Sequence, residues 1–330
     1  MNSESVIGQK VHCKLPSSMR IQGPRNVVGD KDGSIYLLDE GFATILVWDK
    51  EGNFLTSVGV RGQGPGEMLM NGSMGCVTIT NDSLIAVDNS NSKIHFWNRD
   101  FSFRKSIAKP PGYGRILSVQ PLNTLYLVFS SSTKDSLQRL SIVDRDFVKI
   151  NDIAVLSGNN YVRNNSGRWD FQPGADSLVF GFDNAEGIWF ANSNETWAKK
   201  TNKNGDSLAT LTLPSTRSKF NESEILVFQD DFKRWRQDGD TLVLPEYQTA
   251  VDIIIPFKDY IAFAQYSASD GRYEGKIMHL ETKDELSVFS LTLGKFGFIN
   301  KLGDGSIAAI SIDTNGEYKL DVLEFLLKNM

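Results

Sequence analysis

Residues 32–59, DGSIYLLDEGFATILVWDKEGNFLTSVG, decide the fold. They read as three short strands, Ser34–Asp39, Thr44–Asp49 and Phe54–Gly59, the last two joined by a tight turn at Lys50-Glu51-Gly52-Asn53. Apolar and small residues alternate with polar ones, and β-branched and aromatic types dominate, as strands require. A unit of this kind cannot bury both its faces alone, so the question is whether it recurs.

It does. The second strand returns as Gly33-Ser34-Ile35-Tyr36, Asp82-Ser83-Leu84-Ile85, Asn123-Thr124-Leu125-Tyr126, Gly187-Ile188-Trp189-Phe190, Asp259-Tyr260-Ile261-Ala262 and Gly305-Ser306-Ile307-Ala308. The third returns as Ile45–Asp49, Ile94–Asn98, Leu140–Asp144, Ile277–Glu281 and Leu320–Phe325, with a polar, weak version at Trp197–Asn202. Most copies end in Asp, Asn or Glu followed by a turn. Six four-stranded meanders in a row predict an all-β chain, a six-bladed β-propeller of antiparallel blades, since radial repetition leaves only short, protected sheet edges. Blades are expected at about 25–59, 75–108, 115–157, 177–213, 249–293 and 296–325 of a single domain spanning 1–330. The sixth unit lacks an outer strand, while Val6–Leu15 is strand-like and precedes the first unit. This N-terminal segment is therefore expected to close the last blade; the plainer alternative is a loose tail, which would leave two edges unpaired.

Composition bounds the rest. Forty per cent hydrophobic residues support a substantial core, and a net charge of −5 gives no support for nucleic-acid binding. No apolar run is long enough to form a transmembrane segment. The start, Met1-Asn2-Ser3-Glu4-Ser5, has neither a basic nor an apolar export region. Cys13 and Cys76, placed on the closing strand and on an inner strand of blade two, are expected to be free thiols. A monomer is expected.

Turns between first and second strands, and between third and fourth, are short. The long segments, Val60–Gly75, Lys109–Arg115, Ser157–Asp176 and Pro214–Ala250, are all second-to-third turns or connections between blades, so they leave the opposite end of the strands. Loops gathered at one end of a rigid scaffold are where binding usually resides. The largest contains an expected helix near 221–237: Asn221 and Glu224 resemble a capping box, Ile225, Phe228, Phe232 and Trp235 recur at helical spacing, and Gly239 ends the segment. It serves either to pack apolar residues on the propeller or to act as a lid. Residues Asn159–Phe171 mix Tyr161, Arg163, Arg168, Trp169 and Phe171, types favoured as interface anchors but equally suited to plugging a loop onto its blade.

Val60-Arg61-Gly62-Gln63-Gly64-Pro65-Gly66-Glu67-Met68 joins blades one and two. Its glycines permit positive φ and Pro65 stiffens it, giving a shaped connector. It is no phosphate loop, because no strand–helix context or Lys-Ser/Thr ending follows. With residues 32–55 it resembles the NHL-like (TolB-like) six-bladed β-propellers, specifically a bacterial group with a G-x-G-P-G-E connector. The resemblance is specific over 25–110, looser to about 213 and architectural beyond. It implies a periplasmic or cell-envelope setting.

His12, His95 and His279 belong to no spaced metal motif, and no nucleophile motif appears. Asn26, Gln120, Asp183, Asp252 and Asn300 lie near inner strands, where a solvated channel would hold polar residues in any case. The expectation is a non-enzymatic binding or scaffold propeller without cofactor, holding a protein, peptide, glycan or small-ligand partner through Arg25, Arg61, Glu67, Arg168, Trp169, Arg234 and Trp235. The alternative is a lactonase- or lyase-like propeller using Ca or Mg at the channel.

Overall fold

The computed structural model describes residues 7–325 except 73, 133, 159–160, 164–168, 172–175, 184–186, 215–216, 218, 237–239, 245, 268–269, 294–297, 303–305 and 314. Its four-stranded sheets follow sequence order from inner to outer strand, as the repeats predict. Blade one runs Pro24–Gly29, Ile35–Asp39, Thr44–Trp48, Phe54–Val58; blade two Cys76–Ile79, Ser83–Asp88, Lys93–Asn98, Phe103–Ala108; blade three Arg115–Leu122, Leu125–Ser132, Leu137–Val143, Lys149–Ser157. Blade four runs Leu178–Phe182, Ile188–Asn192, Trp197–Thr201, Ser207–Thr212, and blade five Ile253–Pro256, Tyr260–Ser267, Arg272–His279, Glu285–Thr292. Blade six has Phe298–Lys301, Ile307–Ile312 and Tyr318–Phe325, and Ile7–His12 pairs antiparallel with Tyr318–Phe325 as its outer strand. The chain is a six-bladed β-propeller with a single helix among the described residues.

By contacts the chain divides into two compact units. The first contains residues 1–130, 143–149 and 296–330; the second contains 131–142 and 150–295.

In the first unit, residues of one strand turn alternately to two neighbours. Ile35, Leu37, Leu46 and Trp48 join the blade-six residues Ala308, Ile310 and Leu320, whereas Tyr36, Leu38, Ile45 and Val47 join Leu84, Ala86 and Trp97 of blade two. Both faces are buried, so within these strands Ile35–Leu38 and Ile45–Trp48 read as unbroken apolar runs. The alternation expected over residues 32–59 holds only in Phe54–Val58, which has one exposed face. Each such side chain contributes roughly 1.5–3 kcal/mol.

The closing segment is fastened beyond its strand. Cys13 donates its amide to Leu320 O, Lys14 donates to Gly52 O, and Trp48 Nε1 donates to Lys14 O at 2.8 Å. A Cβ at Gly52 would strike His12 O and Val11, so the turn and the closing strand fit only with glycine there. Cys13 lies just past the closing strand rather than on it. Both cysteines are free and buried, and burial pushes each thiol up to about 12.

In the second unit, Val179, Trp189 and Ala191 of blade four pack with Ile254, Ile261 and Phe263 of blade five. Within the long segment 157–176, Tyr161–Arg163 pairs antiparallel with Trp169–Phe171. Trp169–Phe171 pairs in parallel with Thr241–Leu242, so the two longest insertions are joined in one three-stranded sheet. The helix runs Glu222–Trp235 from N-cap Asn221, with both halves of the capping box formed. It ends before Gly239 because Arg236 turns extended.

Candidate binding site

Blades one and two share a corner after their second strands: Asp39-Glu40 and Asp88-Asn89. The first residue clamps the connector leading into its own blade. Asp39 accepts the Gln22 and Gly23 amides at 2.8 and 2.9 Å, and Asp88 accepts the Leu69 amide at 2.6 Å. The second residue reaches the start of the next blade. Glu40 Oε1 accepts the Gly75 amide at 3.0 Å; Asn89 donates to Met74 O and Ile116 O and accepts the Ile116 amide. In the second unit Gln138 does the same work from a third strand, donating to Gly158 O and Asp176 O and accepting the Leu178 amide. Burial opposes ionisation of Asp88, but His95 beside it and the amides it accepts hold its carboxyl below the usual range.

The connector after blade one is braced from end to end. Val60–Arg61 pairs in parallel with Glu67–Met68, and Glu67 folds back to accept the Gly64 amide at 2.8 Å. Arg61 donates to the carbonyls of Leu69 and Gly41 at 2.9 Å and to Asn71 Oδ1 at 3.2 Å. It thereby staples the connector to the turn after Asp39. Gly66 has φ +76°, and a Cβ there would press on the Phe103 ring. Among the described residues Arg25 spends only its Nε, on Glu40 at 2.6 Å. Its two terminal amino groups remain available as a fork for an oxyanion or carbonyl.

The connector after blade two, Lys109–Arg115, is one of the long segments, but its cations are not among the contacts expected from the sequence. Lys109 Nζ donates to Gly114 O at 2.6 Å and to Asn89 Oδ1 at 3.2 Å, closing the loop on itself. The signal that could have found it is a Lys and an Arg flanking Pro110-Pro111-Gly112, a stiff turn with charges at both ends.

In the second unit, the N-terminus of the helix is anchored to blade five. Glu224 is buried; it accepts the Asn221 amide and a hydrogen bond from Gln248 Nε2 and faces Ser267 Oγ at 3.5 Å. Arg168 lies outside the described residues. Trp169 is placed by its strand and Arg234 and Trp235 by the helix, but their side chains also lie outside the description.

Two of the inner-strand polar residues tie blades together, and Asp183 and Asp252 bond within their own blades. Asn26 Oδ1 accepts the Val77 amide at 2.7 Å and Asn300 donates to Val27 O at 3.3 Å. Asp183 faces Lys200 at 2.7 Å. Asp252 accepts from Thr249 and the Tyr266 amide, and burial raises its pKa. Among the described residues no three His, Cys, Asp or Glu side chains gather as metal ligands. Among the described residues Ser106, His95 and Asp88 stand in line: Ser106 Oγ is 2.8 Å from His95 Nδ1, and His95 Nε2 is 3.9 Å from Asp88. That second gap exceeds a hydrogen bond, and Ser106 and His95 are cross-strand partners within one blade, so the trio reads as blade-two structure.

The DUF5128 family model, described as a 6-bladed beta-propeller, matches residues 16–172. No curated protein matches the sequence. A provisionally named exported protein from Bacteroides fragilis NCTC 9343 shares 11% identity at TM-score 0.61, with 98% of this chain and 97% of that one covered. A DUF4221 family member from Bacteroides vulgatus ATCC 8482 shares 9% at 0.59, covering 97% and 98%. A streptogramin B lyase structure shares 13% at 0.54, covering 98% and 99%. These likenesses establish the fold; they carry no activity across.

Proposed function

We propose that the protein is a non-enzymatic binding propeller that holds a protein, peptide or glycan partner, or a small ligand, at the end of its blades from which the long connectors leave. The observation that carries this reading is that those connectors are built, not trailing. Residues 60–75 are held by a parallel strand pair, Arg61 and Glu67. Residues 109–115 are closed by Lys109. In the second unit, residues from 157–176 and 214–250 share a sheet, and Glu224 fixes the helix. Fixing a loop beforehand lowers the entropy cost of binding, which is the usual reason for retaining such bracing. The proposed contacts are Arg25 in the first unit and Arg168, Trp169, Arg234 and Trp235 in the second, each unit taken by itself. Arg61 and Glu67 are given the role of shaping the surface. A periplasmic or cell-envelope setting belongs to the same proposal and is supported by the sequence resemblance.

The test is a screen of the immobilised full chain against peptide and glycan arrays. Hits are remeasured on the triple variant Arg25→Ala/Arg168→Ala/Trp169→Ala and on Lys31→Ala/Lys50→Ala at the short-turn end. The triple variant should lose the hits while melting like the parent, and the short-turn variant should keep them. Hits that survive in the triple variant and vanish in the other would place binding at the wrong end.

A further inference from the structure

Some cations in the first unit are matched by carboxylates, Arg25 by Glu40, Arg99 by Asp30 and Lys105 by Asp146, whereas others, such as Arg61 and Lys93, donate to backbone carbonyls. Lys109 belongs to the second group and, with Arg115, flanks one short connector. Among the described residues neither has a carboxylate within ion-pair distance, although the chain carries a net charge of −5. Lys109 is half-buried, and its ammonium donates to two neutral acceptors, Gly114 O and Asn89 Oδ1. An ammonium has three donors, so one stays unspent while the other two fix where it points. Asn89 is itself immobile, bonded to both backbone groups of Ile116 and to Met74 O. The neighbouring Asp88 makes no ion pair with either cation; its oxygens accept the amides of Leu69, Ser90 and Asn91. Pro110 and Pro111 stiffen the loop between the two cations, and Gly112, at φ +94°, has open space about its Cα.

We infer that Lys109 and Arg115 form an oxyanion site that receives a phosphate, sulfate or carboxylate group of the ligand held by this face. The inference rests on the reading of that face as the binding surface, and it supplies a chemical class for what is bound there. Arg115 brings a planar fork suited to two oxygens, and Lys109 brings a positioned point charge. The pair is costly without an anion: burial, and then the charge of Arg115, push the Lys109 amine below its ordinary value. An oxyanion between them reverses the second effect, so binding at alkaline pH should take up protons.

The experiment measures melting temperature and calorimetric binding on the full chain with inorganic phosphate, sulfate and acetate, each against chloride at equal ionic strength. At least one oxyanion should raise the melting temperature saturably, by about 2–4 °C, and the calorimetric heat at pH 9 should depend on buffer ionisation enthalpy as proton uptake requires. Arg115→Gln leaves the Lys109 loop closure in place, so it should fold normally and weaken the oxyanion about tenfold or more. Lys109→Met should abolish the proton uptake. Equal responses of parent and Arg115→Gln to oxyanion and chloride would overturn the inference. If array hits at this face persist in Arg115→Gln and no oxyanion binds, the oxyanion site fails and the face reading stands. Oxyanion binding without any array hit upholds the site and removes the support for the face reading.

Discussion

Asp30 meets four donors at once: Arg99 at 2.5 Å, the Ser34 amide at 2.9 Å, the Asp32 amide at 3.0 Å and the Tyr36 hydroxyl at 3.1 Å. Burial would raise its pKa, but Arg99, the Ser34 amide and Tyr36 together hold it below the carboxylate range. A depressed folded value stabilises the protein above the unfolded carboxyl's value of about 3.9, and the gain is lost as pH falls through the folded value. Asp30→Asn should therefore cost about 1–2 kcal/mol in urea melts at pH 7 and markedly less at pH 3. Phe147 makes a different demand. It sits at φ +62° yet is wholly buried, stacked on Tyr126 at 5.1 Å. Phe147→Ala should cost about 3–5 kcal/mol. Phe147→Gly should be no worse than Phe147→Ala, contrary to the usual order in a sheet protein, because glycine alone takes that φ freely. At Glu67, Ala substitution should cost about 1 kcal/mol and speed amide exchange at Gly64, whose acceptor it removes.

Among the elements, turns and helix were legible because their signals are local. The Asp or Asn closing the third strand of blades one, three and four accepts amides two and four residues on, at Asp49, Asp144 and Asn202, and the residue three places on takes positive φ at Gly52, Phe147 and Gly205. The capping box of the helix lies within four residues, and Asn221→Ala should loosen that helix by about 1 kcal/mol, seen as faster limited proteolysis with the global melt little changed. The three-stranded sheet joining Trp169–Phe171 to Thr241–Leu242 was not legible, since strands this short, paired across a long stretch of chain, leave no periodicity. Nor were the corner clamps. Glu40 and Asn89 differ in type, and Gln138 acts from another strand, so no shared letter marks a shared task. Arg61 and Glu67 stand out in the sequence, but a lone charged residue in a glycine-rich connector looks the same whether it meets a partner or the connector's own backbone.

For the whole molecule, the repeat predicts the ring, and the incomplete sixth unit predicts how it is closed. Ile7–His12 supplies the outer strand of blade six while Lys14 receives Trp48 of blade one, so one segment fastens two blades. Deleting residues 1–15 should lower the melting temperature sharply; a loss of about 3 kcal/mol corresponds to roughly 5–10 °C. An unchanged melt would mean the ring does not depend on its closing strand. A scaffold so closed leaves the connectors as its variable part, and the binding proposal requires them to be fixed in the free protein. Native-state hydrogen exchange on the unliganded chain measures this directly. The amides of Gly62, Gly64, Glu67, Leu69 and Asn71 all have acceptors, Met68 O, Glu67 Oε2, Gly64 O, Asp88 Oδ2 and Ser90 Oγ, and should exchange at least about a hundredfold slower than an unstructured peptide. Exchange of these amides at the unstructured rate would contradict a preformed binding surface.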